Sequence, residues 1–115
     1  MFVTLEQIRQ ARANLAGIIQ PTPMQYSKTF SDWAGNQIYL KPESLQKTGS
    51  FKIRGAYNKI VNLSDEEKKR GVVAFSAGNH GAGTAYAAQM LGIEATVVMP
   101  TNPVPSKKNA ILQYG

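Results

Sequence analysis

Two short segments of this 115-residue chain carry residue types that could do chemistry together. Residues 50–55 read Ser-Phe-Lys-Ile-Arg-Gly, which places Lys52 just inside a predicted helix that Ser50 can cap. Residues 76–81 read Ser-Ala-Gly-Asn-His-Gly, a glycine-rich turn predicted between a strand and a helix. A lysine amine forms an imine with an aldehyde, and backbone N–H groups in such a turn bind anions.

The neighbours of Lys52 distinguish it from an ordinary surface lysine. As the second residue of the predicted helix, it lies in the positive field of the helix dipole, which favours the neutral amine that forms imines. Gly49 leaves room for a ligand near the backbone, and Phe51 offers an aromatic wall. Gly55 is expected to thin the helix for close packing.

The turn at residues 76–80 is predicted to lie at the carboxyl end of a parallel strand, where N–H groups point towards a bound carboxylate or phosphate. Asn79 adds a side-chain donor and His80 a titratable group. Glycines at 78, 81 and 83 reverse the order of a dinucleotide-binding fingerprint, and no acidic residue follows the next predicted strand. With Lys52, the turn gives the minimum outline of a site for pyridoxal phosphate and an amino acid.

Local signals predict the elements that position these segments. Thr4 and Ser64 each begin a capping box, and Gly71 is expected to end the second helix in a left-handed conformation. Helices are predicted over residues 5–17, 27–33, 51–61, 65–70, 79–91 and 106–114, and strands over 37–41, 72–75 and 95–99. The last two strands are apolar throughout and separated by a helix, which predicts a parallel sheet with right-handed crossovers.

The composition of the chain bears on whether it binds nucleic acid, a metal ion or a membrane. The net charge of +6 is scattered, and Lys107 and Lys108 are predicted to lie on a solvated helix face. Without a recognition motif that interleaves aromatics, we expect no nucleic-acid partner, although a basic nucleic-acid module stays an alternative. The chain has no cysteine, no metal-ligand cluster and no apolar run of bilayer length, and we expect no signal peptide. We therefore expect no metal, no membrane partner and a cytoplasmic location.

Residues 41–56, Lys-Pro-Glu-Ser-Leu-Gln-Lys-Thr-Gly-Ser-Phe-Lys-Ile-Arg-Gly-Ala, resemble the cofactor-lysine signature of the serine/threonine dehydratases. Thr22, Pro23 and Met24 with Ser27 resemble that family's upstream segment, and residues 76–80 resemble its loop for cofactor and substrate carboxylate. The resemblance runs from about Leu5 to the C-terminus. It implies an α/β fold class, the three-layer αβα parallel sheet of the tryptophan synthase β-like (fold type II) pyridoxal-phosphate enzymes, incomplete in this chain.

The resemblance also implies a role for each matching residue. Lys52 would be the catalytic residue, holding the cofactor and then removing the proton from the substrate Cα. Asn79 would hydrogen-bond the ring oxygen of the cofactor, and Phe51 would pack beside it. The substrate carboxylate would be bound by Ser76, Ala77, Gly78, Asn79 and His80. His80 is expected to be structural or a carboxylate donor rather than the base, and Arg54 is expected to form a salt bridge.

Individual residues separate the relatives within the superfamily. Ile53 follows the lysine where threonine and cysteine synthases usually carry aspartate. Ala77 stands where serine racemases typically place a second serine, which favours elimination over racemisation. The implied reaction is β-elimination of L-threonine or L-serine to a 2-oxo acid and ammonia. Ala82 replaces a glutamine common in the family, so the preference between these substrates stays open.

Family members are several times longer, and their poly-glycine phosphate loop and pyridine-nitrogen partner would lie beyond Gly115. We therefore expect an N-terminal portion that is inactive alone, with residues 1–70 in the large domain and 71–115 in the small mobile domain. The whole enzyme would be a homo-oligomer, a dimer or tetramer, acting in catabolism or in isoleucine biosynthesis. Two further readings stay open, a serine racemase or related isomerase, and an inactive fragment or ligand-binding domain.

Overall fold

The computed structural model describes residues 2–115 of the chain. Its helices are α1 (Leu5–Asn14), α2 (Lys28–Ala34), α3 (Lys52–Val61), α4 (Asp65–Arg70), α5 (Asn79–Leu91) and α6 (Pro105–Leu112). Its strands are β1 (Gln25–Tyr26), β2 (Tyr39–Leu40), β3 (Val72–Phe75) and β4 (Ala95–Val98). Two short 3₁₀ turns, Glu43–Leu45 and Lys47–Gly49, lead into α3. Among these described residues, no helix is long and apolar enough to cross a membrane.

Strands β3 and β4 form the parallel pair that the apolar runs predicted. Val72 is paired with Ala95 and Phe75 with Val98, and α5 connects the two strands. The N–H of Ser76 extends the pairing by donating to the carbonyl of Val98 at 2.9 Å. The residues that follow each strand therefore leave the sheet at the same edge.

Strands β1 and β2 form a separate antiparallel pair, and the predicted strand over residues 37–41 is longer than the one observed. Only Tyr39–Leu40 is extended there, and it pairs with Gln25–Tyr26, a strand that the sequence did not predict. The rings of Tyr26 and Tyr39 meet edge to face, with centroids 5.5 Å apart. We did not predict β1 because two prolines lie just before it, and a proline-rich segment is usually interpreted as irregular extended backbone.

The helix ends follow the predicted caps with several corrections, among them α6, which spans Pro105–Leu112 rather than residues 106–114. Both capping boxes form, at Thr4 and at Ser64. Helix α1 ends at Asn14 rather than at residue 17. Gly71 has the positive φ that was predicted, +77°, but its ψ of −174° is extended rather than left-handed helical, because it leads directly into β3. Phe51 rather than Ser50 occupies the N-cap of α3, which makes Lys52 the first helical residue instead of the second.

The core lies between α3 and α5. Ile53 of α3 is completely buried, and Ala87 and Ala88 of α5 are completely buried against the same cluster. Small side chains on α5 allow the two helices to approach closely, and a smaller cluster packs Ile111 of α6 against the other side of α5. Helix α5 is thus enclosed between α3 and α6, so the residues at its N-terminus face elements from both sides.

Candidate active site

The first turn of α3 lies directly against α5, at Gly83. A methyl group on Gly83 would lie 3.1 Å from the carbonyl carbon of Lys52 and 3.2 Å from the backbone nitrogen of Ile53. Only a glycine permits this approach without displacing backbone. The sequence marked Gly83 as part of a glycine-rich pattern, but it did not predict that this glycine would touch the lysine. The contact places Lys52 next to the N-terminus of α5.

A groove of about 630 Å³ opens beside this contact and is lined by Phe51, Lys52, Ala74, His80 and Thr84, among others. The structure therefore brings together three of the predicted site residues, from two segments that are separate in sequence. The other predicted residues, in the 76–79 part of the turn, do not line the groove; they lie in the chain between Ala74 and His80, which do. The groove is also lined by Gly55, where a methyl group would meet nothing within 4 Å. The prediction that Gly55 allows close packing is therefore wrong.

The amine of Lys52 lies over the ring of Phe51. Its Nζ is 5.3 Å from the ring centroid, and the Phe51 side chain is 58% exposed. Ser50 is buried, and its Oγ accepts a long hydrogen bond of 3.4 Å from the N–H of Lys52. The predicted aromatic wall is therefore present and open to a ligand, while Ser50 holds the backbone behind it.

The 76–80 turn presents donors in the way its sequence predicted. Gly78 is the N-cap of α5, and the first-turn N–H groups that follow it have no acceptor within the helix. The hydroxyl of Ser76 accepts a 3.2 Å hydrogen bond from the N–H of Gly78. Its own hydrogen therefore remains available to donate to a ligand. Asn79 and His80 are exposed at the start of α5.

Gly81 is what allows this turn to fold back on the end of β3. A methyl group there would lie 2.6 Å from the carbonyl oxygen of Ser76 and 3.0 Å from side-chain carbons of Val97 and Ile111. The turn is therefore enclosed by β3, β4 and α6 at this glycine. Sequence reasoning gave Gly81 no role beyond turn formation, because the carbonyl that it faces is contributed by the fold of the chain.

A polar network anchors the loop that precedes α3. Arg54 donates two hydrogen bonds to Glu43, from Nε to Oε2 at 2.8 Å and from Nη2 to Oε1 at 2.7 Å. Thr22 donates to the same carboxylate, and Lys41 donates to the carbonyl of Thr22 at 2.8 Å. The prediction that Arg54 forms a salt bridge is confirmed. The network ties residues just before and just after Lys52 to the proline-rich segment.

The network also shifts the ionisation of its members. The hydrogen bonds from Arg54, with help from Thr22, lower the pKa of Glu43 from its ordinary 4.5 to about 2, although burial opposes them. The same pairing raises the pKa of Arg54. Because the folded pKa of Glu43 is depressed, its contribution to stability is complete above pH 4.5. That contribution is lost as the pH falls from there towards about 2.

Glu43→Gln should therefore change the pH dependence of stability. We expect the variant to be less stable than the wild type by about 2 kcal/mol at pH 7, since a charge-assisted pair is lost. The difference should shrink as the pH falls below 4.5, because Glu43 of the unfolded wild type is then protonated while the folded carboxylate, with its pKa of about 2, is not. Denaturant unfolding of the full-length protein at pH 7 and pH 3 measures both values. Glu66→Gln, at an exposed carboxylate on α4, is the matched control, and an equal loss in both variants would contradict the expectation.

The chain is similar to known proteins over most of its length. The family described as "Pyridoxal-phosphate dependent enzyme" matches residues 15–115. An L-threonine ammonia-lyase of Thermotoga maritima is 60% identical over 98 residues, which are 85% of this chain and 24% of that protein. The catabolic L-threonine dehydratase of Escherichia coli K12 is 48% identical over 112 residues, which are 97% of this chain and 34% of that protein.

A solved structure is also similar. The crystal structure of a serine racemase from Dictyostelium discoideum matches with a TM-score of 0.91 and 43% sequence identity, covering 98% of this chain and 37% of that one. The chain thus spans between about a quarter and just over a third of the length of the proteins it matches. Both the site segments and the elements that carry them fall inside the matched region.

Proposed function

The chain belongs to the family of pyridoxal-phosphate-dependent enzymes, and we propose that the full-length protein is a threonine/serine ammonia-lyase. It would convert L-threonine or L-serine to 2-oxobutanoate or pyruvate, with release of ammonia. The contact between the first turn of α3 and Gly83 of α5 supports this proposal most directly. It holds Lys52 beside a turn whose donors suit a carboxylate.

The described residues fit pyridoxal phosphate. A groove of about 630 Å³ contains a lysine amine and an exposed aromatic ring side by side. Lys52 would hold the cofactor covalently, Phe51 would pack beside it and Asn79 would hydrogen-bond it. When bound, the cofactor supplies a ring that withdraws electrons from the substrate Cα.

The chain's own residues would then bind the substrate and move one proton. The first-turn N–H groups of α5 and the hydroxyl of Ser76 would hold the α-carboxylate, which orients the Cα–H bond. Nζ of Lys52 would accept the Cα proton as a general base. The Glu43–Arg54 pair holds the backbone around Lys52 in place, so that the amine keeps its position over Phe51.

A second candidate function is racemisation, which the likeness to a serine racemase supports. Racemisation needs an acid that returns a proton to the opposite face of Cα. Ala77 has no group that could do so, although it lies in the turn beside the carboxylate donors. We therefore place elimination first.

Product analysis of the full-length protein tests this choice. With L-threonine or L-serine, we expect 2-oxo acid and ammonia in equal amounts, and at most a trace of D-amino acid. Ala77→Ser should raise the D-serine fraction, because it adds a hydroxyl that can donate a proton. Chiral chromatography and an oxo-acid assay measure the two products. Ala34→Ser, the same change at an exposed position at the end of α2, is the control, and D-serine as the main wild-type product would overturn the proposal.

The proposal extends to the domain boundary, the oligomeric state, the location and the metabolic role of the full-length protein. The separation of the antiparallel pair β1–β2 from the parallel pair β3–β4 supports a boundary near residue 70, with residues 1–70 in a large domain and 71–115 in a small one. We further propose a homo-oligomeric enzyme of the cytoplasm, where its free amino-acid substrates are metabolised. A catabolic role is supported by the likeness to a catabolic dehydratase. Since the chain spans a minor part of its relatives, we expect it to be inactive by itself.

A further inference from the structure

Lys107 reaches from α6 to the 76–80 turn. It is the third residue of α6, and its N–H donates to the carbonyl of Val104 at 3.0 Å in the first turn. Ile111, one turn later, is buried against Ala82 and Ala85 of α5. This packing holds the start of α6 close to the start of α5. As a result, Nζ of Lys107 would lie 3.7 Å from a methyl group placed on Gly78.

Gly78 does not adopt the positive φ that most strongly favours glycine, since its φ is −141° and its ψ is −148°. Nor is the space crowded, since Nζ of Lys107 is the sole heavy atom within 4 Å of the methyl position. The absence of a side chain at Gly78 therefore leaves an open gap between the ammonium group and the first-turn N–H groups of α5.

The charges around this gap are of one sign. Residues 72–115 contain a single carboxylate, Glu94. Its backbone carbonyl accepts from the N–H of Val72, which places it at the amino ends of β3 and β4, away from the turn. Among the described residues, Lys107 takes part in no salt bridge. An ammonium group without a protein counter-ion and helix N–H groups without acceptors thus face the same gap.

We propose that Lys107 is a substrate-binding residue whose ammonium group binds the α-carboxylate of the amino-acid substrate together with the 76–80 turn. This inference rests on the proposed function, because it assigns a further contact within the same substrate site. The carboxylate keeps its full charge while the Cα proton leaves, so the ammonium group stabilises the bound substrate and the transition state equally. Its removal therefore weakens binding and leaves the turnover number unchanged.

The test compares Lys107→Met with Lys108→Met in the full-length protein loaded with cofactor. Both changes remove one charge from an exposed lysine on α6 and keep a long side chain. Calorimetric binding of L-alanine, which has no β-hydroxyl to lose, should weaken about fivefold in Lys107→Met. Lys108→Met should bind as the wild type does. For L-threonine, KM should rise by the same factor with kcat unchanged, and Lys107→Arg should restore both values.

Salt gives a second readout that a purely structural role would not move. Raising the ionic strength should weaken binding of L-alanine to the wild type more than to Lys107→Met. Salt screens the attraction between the ammonium group and the carboxylate in the wild type, whereas the variant has already lost that attraction. Equal binding by wild type and Lys107→Met, equal losses in both lysine variants, or a fall in kcat alone would overturn the role of Lys107.

The outcomes separate this inference from the proposed function. A wild-type protein that binds L-alanine but forms no oxo acid would refute the lyase, whereas the two lysine variants would still decide the role of Lys107. A wild-type protein that binds no L-alanine and forms no oxo acid from L-threonine or L-serine would refute both.

Discussion

Lys52→Ala should reduce turnover of L-threonine by the full-length protein by at least about a thousandfold. The change removes the amine that would both hold the cofactor and accept the Cα proton. It should cost little stability, because Lys52 is only half-buried at the first position of α3 and alanine favours helices. Steady-state kinetics measure the loss, and circular dichroism confirms that the variant is folded.

Lys69→Ala is the matched control, since Lys69 is exposed in the last turn of α4. Borohydride reduction in the presence of pyridoxal phosphate, followed by peptide mapping, adds a readout independent of turnover. A single reduced adduct is expected on Lys52 in the wild type and in Lys69→Ala, and L-threonine or L-serine should compete with it. Adducts spread over many lysines, or activity of Lys52→Ala within tenfold of the wild type, would show that Lys52 does not have the proposed role.

Gly81→Ala should be among the most damaging single changes in the described part of the chain. Its methyl group would lie 2.6 Å from the carbonyl oxygen of Ser76, a backbone atom that cannot move without displacing the turn. Overpacking of this kind costs about 1–3 kcal/mol. Gly83→Ala should cost less stability, because its nearest contact is 3.1 Å, but it would push α5 away from Lys52. The shift would be a few tenths of an ångström, so turnover should fall by less than the roughly hundredfold loss that a misplacement of about 1 Å can cause.

Gly55→Ala provides the control for stability, because a methyl group there meets nothing within 4 Å and the glycine lies inside α3. We expect it to leave the protein as stable as the wild type or to stabilise it by about 0.5–1 kcal/mol, through the better helix propensity of alanine. Thermal and denaturant unfolding of the three glycine variants measure their order of stability. If Gly81→Ala unfolds at the same denaturant concentration as Gly55→Ala, the turn is looser than its geometry indicates.

Local signals were sufficient wherever an element depends on neighbours in the chain. The capping boxes at Thr4 and Ser64 place a side-chain acceptor and a donor three residues apart, and both formed as predicted. The apolar runs at β3 and β4 predicted a parallel pair, because alternation is absent when both faces of a strand are to be covered. The boundary of α3 was wrong by one residue, which moved the N-cap from Ser50 to Phe51.

The sequence did not predict the contacts between residues that are far apart in the chain, because no local signal encodes them. Strand β1 consists of two residues and is stabilised by β2, so nothing in its own sequence marks it. Glu43 and Thr22 lay within segments that resemble the family, yet their hydrogen bonds with Arg54 follow from how three loops meet. Gly71 was expected to be left-handed, and its extended ψ is explained only by the strand pairing that follows it.

The sequence by itself predicted that Lys52 and the 76–80 turn are the reactive and anion-binding segments, and it correctly predicted the parallel strand pair that leads into the turn. It could do so because lysine chemistry, glycine patterns and apolar runs are expressed within a few residues. Only the tertiary structure decided that Gly83 touches Lys52, that Gly81 lies under the carbonyl of Ser76, and that Lys107 covers Gly78. These contacts join residues of different elements, and the distances between them depend on how α3, α5 and α6 pack together.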